Sequence, residues 1–273
     1  MSKRLIIMSS AKGGSGKSTA SRAYIDLARQ AGRTVASWDL DGQTSSLSML
    51  YPDRDPQKGC GFENIKDLEA PGRWLDSVNG DAQDCLLDVP GGALHDLLRV
   101  IHGGAQSLIQ IAKEADREVV IVSVIGLKRD SSFAPIEAVR LFGNDVHHIV
   151  LKNGFWAPVN GFVVFDGVEV DGVRKYGKPS DIVREAGGTV LYFPKLDHVT
   201  DGFLDVENLT FIQATTAGEK IGVRAAYNAR FWLNAVSTAL AGSWIDVSGN
   251  VPGAPPVPSK NGKAVRSTDT VSV

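Results

Sequence analysis

The chain has 273 residues, of which 43% are hydrophobic and 22% charged, a composition that can fill the core of a globular α/β protein. Its formal net charge of -2 excludes the global basicity of proteins that coat nucleic acid, although a local basic patch stays open. The two cysteines, Cys60 and Cys85, suit neither a disulfide framework nor a metal site, and no apolar run reaches the length of a membrane span. With no secretion signal before the first predicted strand, we expect a cytoplasmic protein with reduced thiols.

The first predicted elements are a strand, a glycine-rich turn and a helix. The apolar run Leu5 to Met8 predicts a buried parallel strand, and helical spacing of apolar residues predicts a helix from Ser18 to Ala31. In the turn between them, Ala11 to Thr19, glycines let backbone N–H groups converge on an anion at a helix N-terminus. Lys17 would add a full positive charge and Ser18 a hydroxyl ligand for Mg²⁺, so this stretch predicts a phosphate site.

Two further predicted strands end in carboxylates. Asp39 and Asp41 follow the strand Thr34 to Trp38, and Asp88 ends the apolar run that begins at Cys85. Because the carboxyl ends of parallel strands form the ligand crevice of an open sheet, these aspartates should lie beside the phosphate loop. The structural alternatives are that Asp41 caps a following helix and that Asp88 is satisfied by ordinary hydrogen bonds.

The rest of the chain alternates between strands and helices. We predict loops with one short helix near Glu63 to Leu68, a helix from Leu94 to Ala115 broken at Gly103-Gly104, a strand from Val119 to Ile125, a helix from Pro135 to Phe142, a strand from His148 to Leu151, a hairpin at the sheet edge from Phe162 to Val173, a helix from Ser180 to Ala186, a strand from Thr189 to Phe193, and a helix from Gly218 to Leu240 broken near Gly222.

This alternation predicts an α/β fold, a doubly wound and mostly parallel sheet with helices on both faces. We expect one domain over residues 1–247 and a flexible Pro/Gly-rich tail over residues 248–273. The histidines show no metal-binding spacing, and the basic cluster Arg174, Lys175 and Lys178 is interpreted as a solvated loop in preference to a DNA patch.

Four segments together resemble the ParA/MinD ATPases, which belong to the SIMIBI class of P-loop NTPases. Lys12-Gly13-Gly14-Ser15-Gly16-Lys17-Ser18-Thr19 resembles their deviant Walker A box, in which Lys12 is the characteristic extra lysine; Ala11 stands where the general P-loop pattern has glycine. Asp39-Leu40-Asp41-Gly42-Gln43 resembles switch I, Leu87-Asp88-Val89-Pro90 resembles Walker B and switch II, and Leu151-Lys152-Asn153 resembles the strand end whose Asn reads adenine. The resemblance spans Lys3 to Phe193 and is loose beyond it.

The resemblance implies a Mg²⁺-dependent ATPase that forms an ATP-sandwich homodimer. It assigns ATP binding to Gly13, Gly14, Ser15, Gly16, Lys17, Ser18, Thr19 and Asn153. It assigns the metal shell to Ser18, Asp39 and Asp88, and the catalytic roles to Lys12, Lys17 and Asp41. In these roles Asp41 positions the attacking water and Lys12 reaches the ATP of the partner subunit. From the residues alone, the alternatives are that Asn153-Gly154 is a common turn and that Lys12 is a solvated side chain.

The resemblance also implies partners. Partition or stability of plasmid DNA, or a conjugation-linked role, would involve a second copy of the chain, non-specific DNA and a small activating adaptor protein, with nucleoid association if DNA is bound. The C-terminal part lacks the basic-apolar amphipathic helix of MinD-like proteins, which argues against a membrane partner. Three alternatives stay open: a synthetase of the dethiobiotin-synthetase or cobyrinate type, whose members usually lack the extra lysine, MinD-like positioning of a protein complex, and a scaffold that binds ATP but barely hydrolyses it.

Overall fold

A computed structural model describes residues 2–42, 46–67 and 69–247. Its strands are β1 Lys3–Ser9, β2 Val35–Asp39, β3 Gly61–Phe62, β4 Asp84–Asp88, β5 Arg117–Ile125, β6 His147–Asn153, β7 Val168–Val170, β8 Val173–Lys175 and β9 Thr189–Phe193. Its helices are α1 Lys17–Gln30, α2 Ser46–Leu50, α3 Trp74–Val78, α4 Leu94–Arg99, α5 Gly104–Glu114, α6 Arg129–Phe142, α7 Val163–Asp166, α8 Lys178–Glu185, α9 His198–Val206, α10 Phe211–Ala214, α11 Gly218–Ile221 and α12 Val223–Leu240.

The central sheet has seven strands in the order β3-β2-β4-β1-β5-β6-β9, and all its described pairings are parallel. Successive residues of β1 enter opposite cores: Ile6 and Met8 pack in the cluster that contains α1 and α12, whereas Leu5 and Ile7 pack in the cluster that contains α4 and α5. Helices therefore cover both faces, and each fully buried Leu or Ile contributes about 1.5–3 kcal/mol. The predicted doubly wound α/β fold is confirmed.

A buried ion cluster joins the amino ends of β1 and β4. Both oxygens of Asp84, which is fully buried, accept hydrogen bonds from Arg4 at 2.8 Å and from Arg33 at 2.6 and 2.7 Å. The Tyr24 hydroxyl donates a further bond at 2.7 Å. These bonds fix α1 and the start of two central strands at the end of the sheet opposite the glycine loop.

The predicted strands and the predicted breaks in two helices are confirmed. The interrupted helix after β4 is α4 and α5, separated before Gly104, and the last helix divides at Gly222 into α11 and α12. The predicted Pro135 helix begins earlier, at Arg129. The tail predicted over residues 248–273 and the residue Gln43 lie outside the described part of the chain.

Two local predictions are wrong. No helix occupies the described residues 63–67, because the Glu63 carboxylate accepts hydrogen bonds from the backbone N–H groups of Gly72 at 2.8 Å and Arg73 at 2.9 Å and holds the segment as a loop. The predicted hairpin begins later, at Val168, and forms a separate two-stranded sheet instead of an edge of the main one. Its turn is Asp171-Gly172, where both residues have positive φ, while Gly167 ends α7.

Within residues 2–42, 46–67 and 69–247, none of the helices combines the length and the apolar character that a bilayer crossing requires.

Candidate nucleotide and magnesium site

The predicted site residues meet at the carboxyl ends of the central strands. Asp88 at the end of β4 is the register partner of Met8 in β1 and of Asp39 in β2, so both carboxylates lie at the edge from which the glycine loop leaves β1. Asp39 and Asp88 are almost fully buried. Asn153 ends β6, two strands from β1 on the other side of β5. The fold therefore brings the carboxylates and the loop together as the sequence predicted.

The glycine loop is held by its neighbours. Asn153 Nδ2 donates a hydrogen bond to the Ser15 carbonyl oxygen at 2.7 Å, and the Gly92 N–H donates to the Ser10 carbonyl oxygen at 2.8 Å. A Cβ on Gly91 would lie 2.5 Å from Lys12 Cα, so the predicted switch loop lies directly against the phosphate loop. A change in either loop is therefore transmitted to the other by backbone contact.

Gly16 is the least replaceable glycine of the loop. It has a φ of 91° immediately before α1, and an added Cβ would collide with Asn153 Nδ2. We expect Gly16→Ala to lower the free energy of unfolding by about 1–3 kcal/mol, from backbone strain and from displacement of Asn153. The matched control is Gly13→Ala, because no atom lies within 4 Å of the corresponding Cβ. Urea unfolding without nucleotide measures both, and equal stabilities of the two variants would contradict the expectation.

Lys17 begins α1 and points at Asp88. The Lys17 ammonium is 2.8 Å from Asp88 Oδ2, and both side chains are buried. Ser18 Oγ donates to the same oxygen at 2.9 Å. Ser21 Oγ donates to Asp88 Oδ1 at 2.6 Å. The sequence analysis did not predict Ser21 as a site residue. Its position three residues after Ser18, on the same face of the predicted helix, could have indicated that both hydroxyls reach the same group.

The Asp39 carboxylate organises the segment after β2. Its Oδ1 accepts a hydrogen bond from the Asp41 N–H at 3.1 Å, and its Oδ2 accepts from the N–H groups of Leu47 and Ser48 at 3.0 Å. Asp39 therefore satisfies two backbone N–H groups in the first turn of α2. Burial raises the pKa of Asp39, and the nearby charge of Asp88 raises it further. A divalent cation at this edge would lower it again.

The chemistry of the site fits a magnesium nucleotide. Lys17 pairs with Asp88, and its charge also acts on Asp39, so these two buried carboxylates would accept a further positive charge. Ser15 Oγ is buried and, in the part of the chain described by the structure, has no hydrogen-bond partner, as expected for a hydroxyl that awaits an anion. The left-handed glycines Gly14 and Gly16 shape the cradle around it. Ser18 and Asp88 offer the oxygen ligands that Mg²⁺ prefers.

A cavity of about 150 Å³ adjoins the loop on the side of α1. Its polar lining includes Asn153, Thr19 and Asp201, and its apolar walls are formed by Phe155, Phe193, Pro194, Leu196 and Trp232. A cavity with aromatic walls beside a phosphate cradle suits a nucleobase. In this structure the amide group of Asn153 also donates to the loop, so Asn153 joins the cavity to the cradle. The aromatic walls come from distant segments, and no motif indicated them.

Lys12 is set apart from the other lysine of the loop. It is half exposed, and its ammonium donates to Asp130 Oδ2 at 2.6 Å near the start of α6. This contact holds the pKa of Asp130 below its ordinary value. Lys12 also lines a cavity of about 380 Å³ together with Leu127, Lys128 and Trp156, on the outer side of the loop. The two lysines thus have different surroundings: Lys17 lies inside the site and Lys12 at its surface.

Comparison with known proteins places these features in context. A family model described as the CobQ/CobB/MinD/ParA nucleotide binding domain matches residues 6–214. A curated relative, Protein MobD of Acidithiobacillus ferrooxidans, is 26% identical over 205 residues, which cover 74% of this chain and 82% of MobD.

Two solved structures are similar to this chain at low identity. The cell division ATPase MinD of Pyrococcus furiosus has a TM-score of 0.47 and 16% identity, covering 83% of this chain and 96% of that one. A nucleotide-binding protein of Archaeoglobus fulgidus, solved in complex with ADP, has a TM-score of 0.42 and 20% identity, covering 77% of this chain and 88% of that one.

Proposed function

We propose that this chain, which belongs to the CobQ/CobB/MinD/ParA nucleotide-binding family, is a Mg²⁺-dependent ATPase whose hydrolysis is coupled to formation of a homodimer. Membership of the family follows from the match over residues 6–214, which is most of the chain. The observation that carries the hydrolytic proposal is the buried contact of Lys17 with Asp88, bridged by Ser18 at the first turn of α1.

Each predicted site residue then has a physical task. Lys17 and the backbone from Gly13 to Thr19 would hold the phosphates. Ser18 with Asp88 would hold the metal shell, and Asp39 would support it. A bound Mg²⁺ would neutralise charge on the phosphates. Asp39 fixes the backbone of Asp41, and Asp41 would orient the attacking water. Most of the catalysis by this chain would be positioning and electrostatic stabilisation.

The dimer proposal depends on Lys12. Its ammonium lies half exposed beside its own loop. It pairs there with Asp130, which is also half exposed. A cation in this place can reach a second subunit that covers the loop, and its charge would then act on the partner's phosphates. Such a contribution in trans makes the hydrolysis rate depend on assembly. Lys12 also favours this reading over a small-molecule synthetase of the same family.

We propose plasmid DNA, in partition, stability or conjugation-linked transfer, as the cargo. The support is the deviant Walker A box with Lys12, together with the likeness to Protein MobD. A dimer that binds DNA non-specifically would do so through phosphate contacts, with an affinity that falls steeply as salt is raised. A small adaptor protein would stimulate hydrolysis.

The test of the assembly proposal compares the natural chain with Lys12→Ala. We expect ATP and Mg²⁺ to shift the natural chain to a dimer in sedimentation velocity and to support slow phosphate release. In Lys12→Ala the release should fall by about tenfold or more, because a single trans-acting lysine lacks the fork of an arginine finger yet still neutralises phosphate charge. Binding of a fluorescent ATP analogue should persist.

Persistent ATP-dependent dimers with unchanged hydrolysis in Lys12→Ala would contradict the trans role. The control is Lys58→Ala, because Lys58 is an exposed lysine that is paired with Asp55 and belongs to none of the site motifs. Adding non-specific DNA to the same sedimentation cells tests the cargo: co-migration that weakens with salt supports it, and turnover that requires a metabolite would favour the synthetase instead.

A further inference from the structure

The cavity of about 150 Å³ beside the phosphate loop, which we call the base cavity, has one charged side chain among its described lining residues. This side chain is the carboxylate of Asp201, in the first turn of α9. Asp201 is an exposed residue, so its carboxylate lies where the base cavity meets solvent. None of the sequence motifs of the site includes it.

Two other hydrogen-bond acceptors in the wall of the base cavity are already engaged. Asn153 Oδ1 accepts a hydrogen bond from the Phe155 N–H at 3.0 Å. The Pro194 carbonyl oxygen accepts from Trp232 Nε1 at 2.8 Å. By contrast, the Asp201 carboxylate accepts no hydrogen bond from any residue in the described part of the chain. It is therefore available to a ligand, and an ionised carboxylate can only accept.

The position of Asp201 beside α1 separates it from the phosphate cradle. Thr19 lines the base cavity near the loop, and Arg22 lies about 4.5 Å further along α1, away from the loop. Burial raises the pKa of Asp201, and the charge of Arg22 opposes this rise, so Arg22 and Asp201 are neighbours. Arg22 donates to the Leu209 carbonyl oxygen at 3.3 Å and, among the described contacts, forms no ion pair with Asp201. A nucleotide with its phosphates in the loop would therefore present the outer edge of its base to Asp201.

We propose that Asp201 recognises the base, and that its carboxylate accepts a hydrogen bond from the 6-amino group of adenine. Adenine carries a donor at this position, whereas guanine carries an acceptor oxygen that the carboxylate would repel. Asn153 donates one amide N–H to the Ser15 carbonyl oxygen and keeps the other for an acceptor nitrogen of the base. The inference rests on the proposed nucleotide function and identifies the source of its selectivity for adenine.

The test compares three triphosphates that would occupy the same loop. A fluorescent ATP analogue is bound to the full chain with Mg²⁺ and displaced by ATP, by GTP or by purine riboside triphosphate, which is ATP without the 6-amino group. The ratio of the dissociation constants of purine riboside triphosphate and ATP isolates that group. We expect a ratio of about ten, the lower end for a hydrogen bond to a charged group, because Asp201 is exposed. GTP should also bind more weakly than ATP.

Asp201→Ala should bring this ratio to about one. The ratio is the readout because removal of a negative charge changes the affinity for all three triphosphates alike. The matched control is Asp205→Ala, which removes a carboxylate one turn further along α9, at an exposed residue that does not line the base cavity. This variant should keep the ratio of the natural chain. Asp201→Asn should narrow the difference between ATP and GTP, because an amide can donate as well as accept.

Three outcomes would overturn the inference: a ratio near one in the natural chain, a ratio that stays near ten in Asp201→Ala, and GTP binding as tight as ATP binding. An equal fall of the ratio in Asp205→Ala would overturn it too, because the effect would then be the general charge of α9. In all of these outcomes the triphosphates still bind, so the proposed nucleotide function is untouched. If no triphosphate bound, the nucleotide function itself would fail, and the inference with it.

Discussion

Replacing Lys17 by alanine is expected to lower ATP turnover by about 10²–10³-fold or more, the loss that follows removal of one preorganised electrostatic contact at a reacting centre. Lys17 is the buried cation of the loop, 2.8 Å from Asp88, whereas Lys12 lies half exposed at the surface. Without Lys17 the phosphates would meet two buried carboxylates with no protein cation between them. Nucleotide affinity should therefore fall together with turnover.

Lys17→Ala should also lower the free energy of unfolding, and this loss of stability is measured separately from the loss of turnover. Asp88 would lose its charged partner but keep hydrogen bonds from Ser18 at 2.9 Å and from Ser21 at 2.6 Å. These hydroxyls should limit the loss to less than the about 3–5 kcal/mol typical of an unpaired buried charge. Phosphate release is measured at a temperature where circular dichroism shows the variant folded, with Lys12→Ala as the comparison. Loss of ATP binding in Lys12→Ala but not in Lys17→Ala would reverse the proposed roles.

The sequence pattern alone predicted the site residues that lie next to one another along the chain. A continuously apolar strand, a glycine loop and a helix in succession placed Lys17 and Ser18, since no distant contact is needed to form that unit. Asp39 and Asp88 were predictable because strand order in a parallel sheet puts carboxyl ends at one edge. The turn at Asp171-Gly172 lies within the predicted hairpin, whereas the first part of the predicted range forms α7, which ends at Gly167.

Contacts between residues that are far apart in the sequence could not be predicted from the sequence pattern. Asp130 lies far along the chain from Lys12, and nothing near either residue indicates their ion pair. Glu63 belongs to a segment with helix-compatible composition, yet backbone donors at Gly72 and Arg73 make it a loop. By contrast, α10 was missed in spite of a readable capping box, in which Thr210 accepts from the Gln213 N–H and Gln213 accepts from the Thr210 N–H.

The buried carboxylates at the two ends of the sheet differ in how fully they are paired with cations and hydrogen-bond donors. At the carboxyl ends, Asp39 and Asp88 share one cation, an arrangement that can take up a magnesium nucleotide. At the amino ends, Asp84 is saturated by Arg4, Arg33 and Tyr24, and no lone pair is left for a ligand. The first arrangement is adapted to binding and the second to stability, so substitutions at the two ends should separate function from folding.

Asp84→Asn is accordingly expected to lower the free energy of unfolding by about 3–5 kcal/mol while leaving the nucleotide site chemically intact. The asparagine is nearly isosteric, but it removes the carboxylate charge that pairs with two buried guanidinium groups, those of Arg4 and Arg33. Urea unfolding monitored by tryptophan fluorescence measures the loss. The control is Asp181→Asn, because Asp181 makes a similar two-bond contact with Arg174 at 2.9 Å in an exposed position, where no measurable change is expected.

The pH dependence of this difference gives an independent check. The hydrogen bonds from Arg33 and Arg4 hold the pKa of Asp84 below its ordinary value in spite of burial. A carboxylate with a lowered pKa in the folded state stabilises the fold above its unfolded pKa of about 3.9, and this contribution is lost as the pH falls toward the folded pKa. The stability difference between the natural chain and Asp84→Asn should therefore be constant from about pH 8 to about pH 5 and shrink at lower pH. A difference that grows on acidification would mean that Asp84 is protonated in the folded protein and that the cluster is held by neutral hydrogen bonds instead of charge.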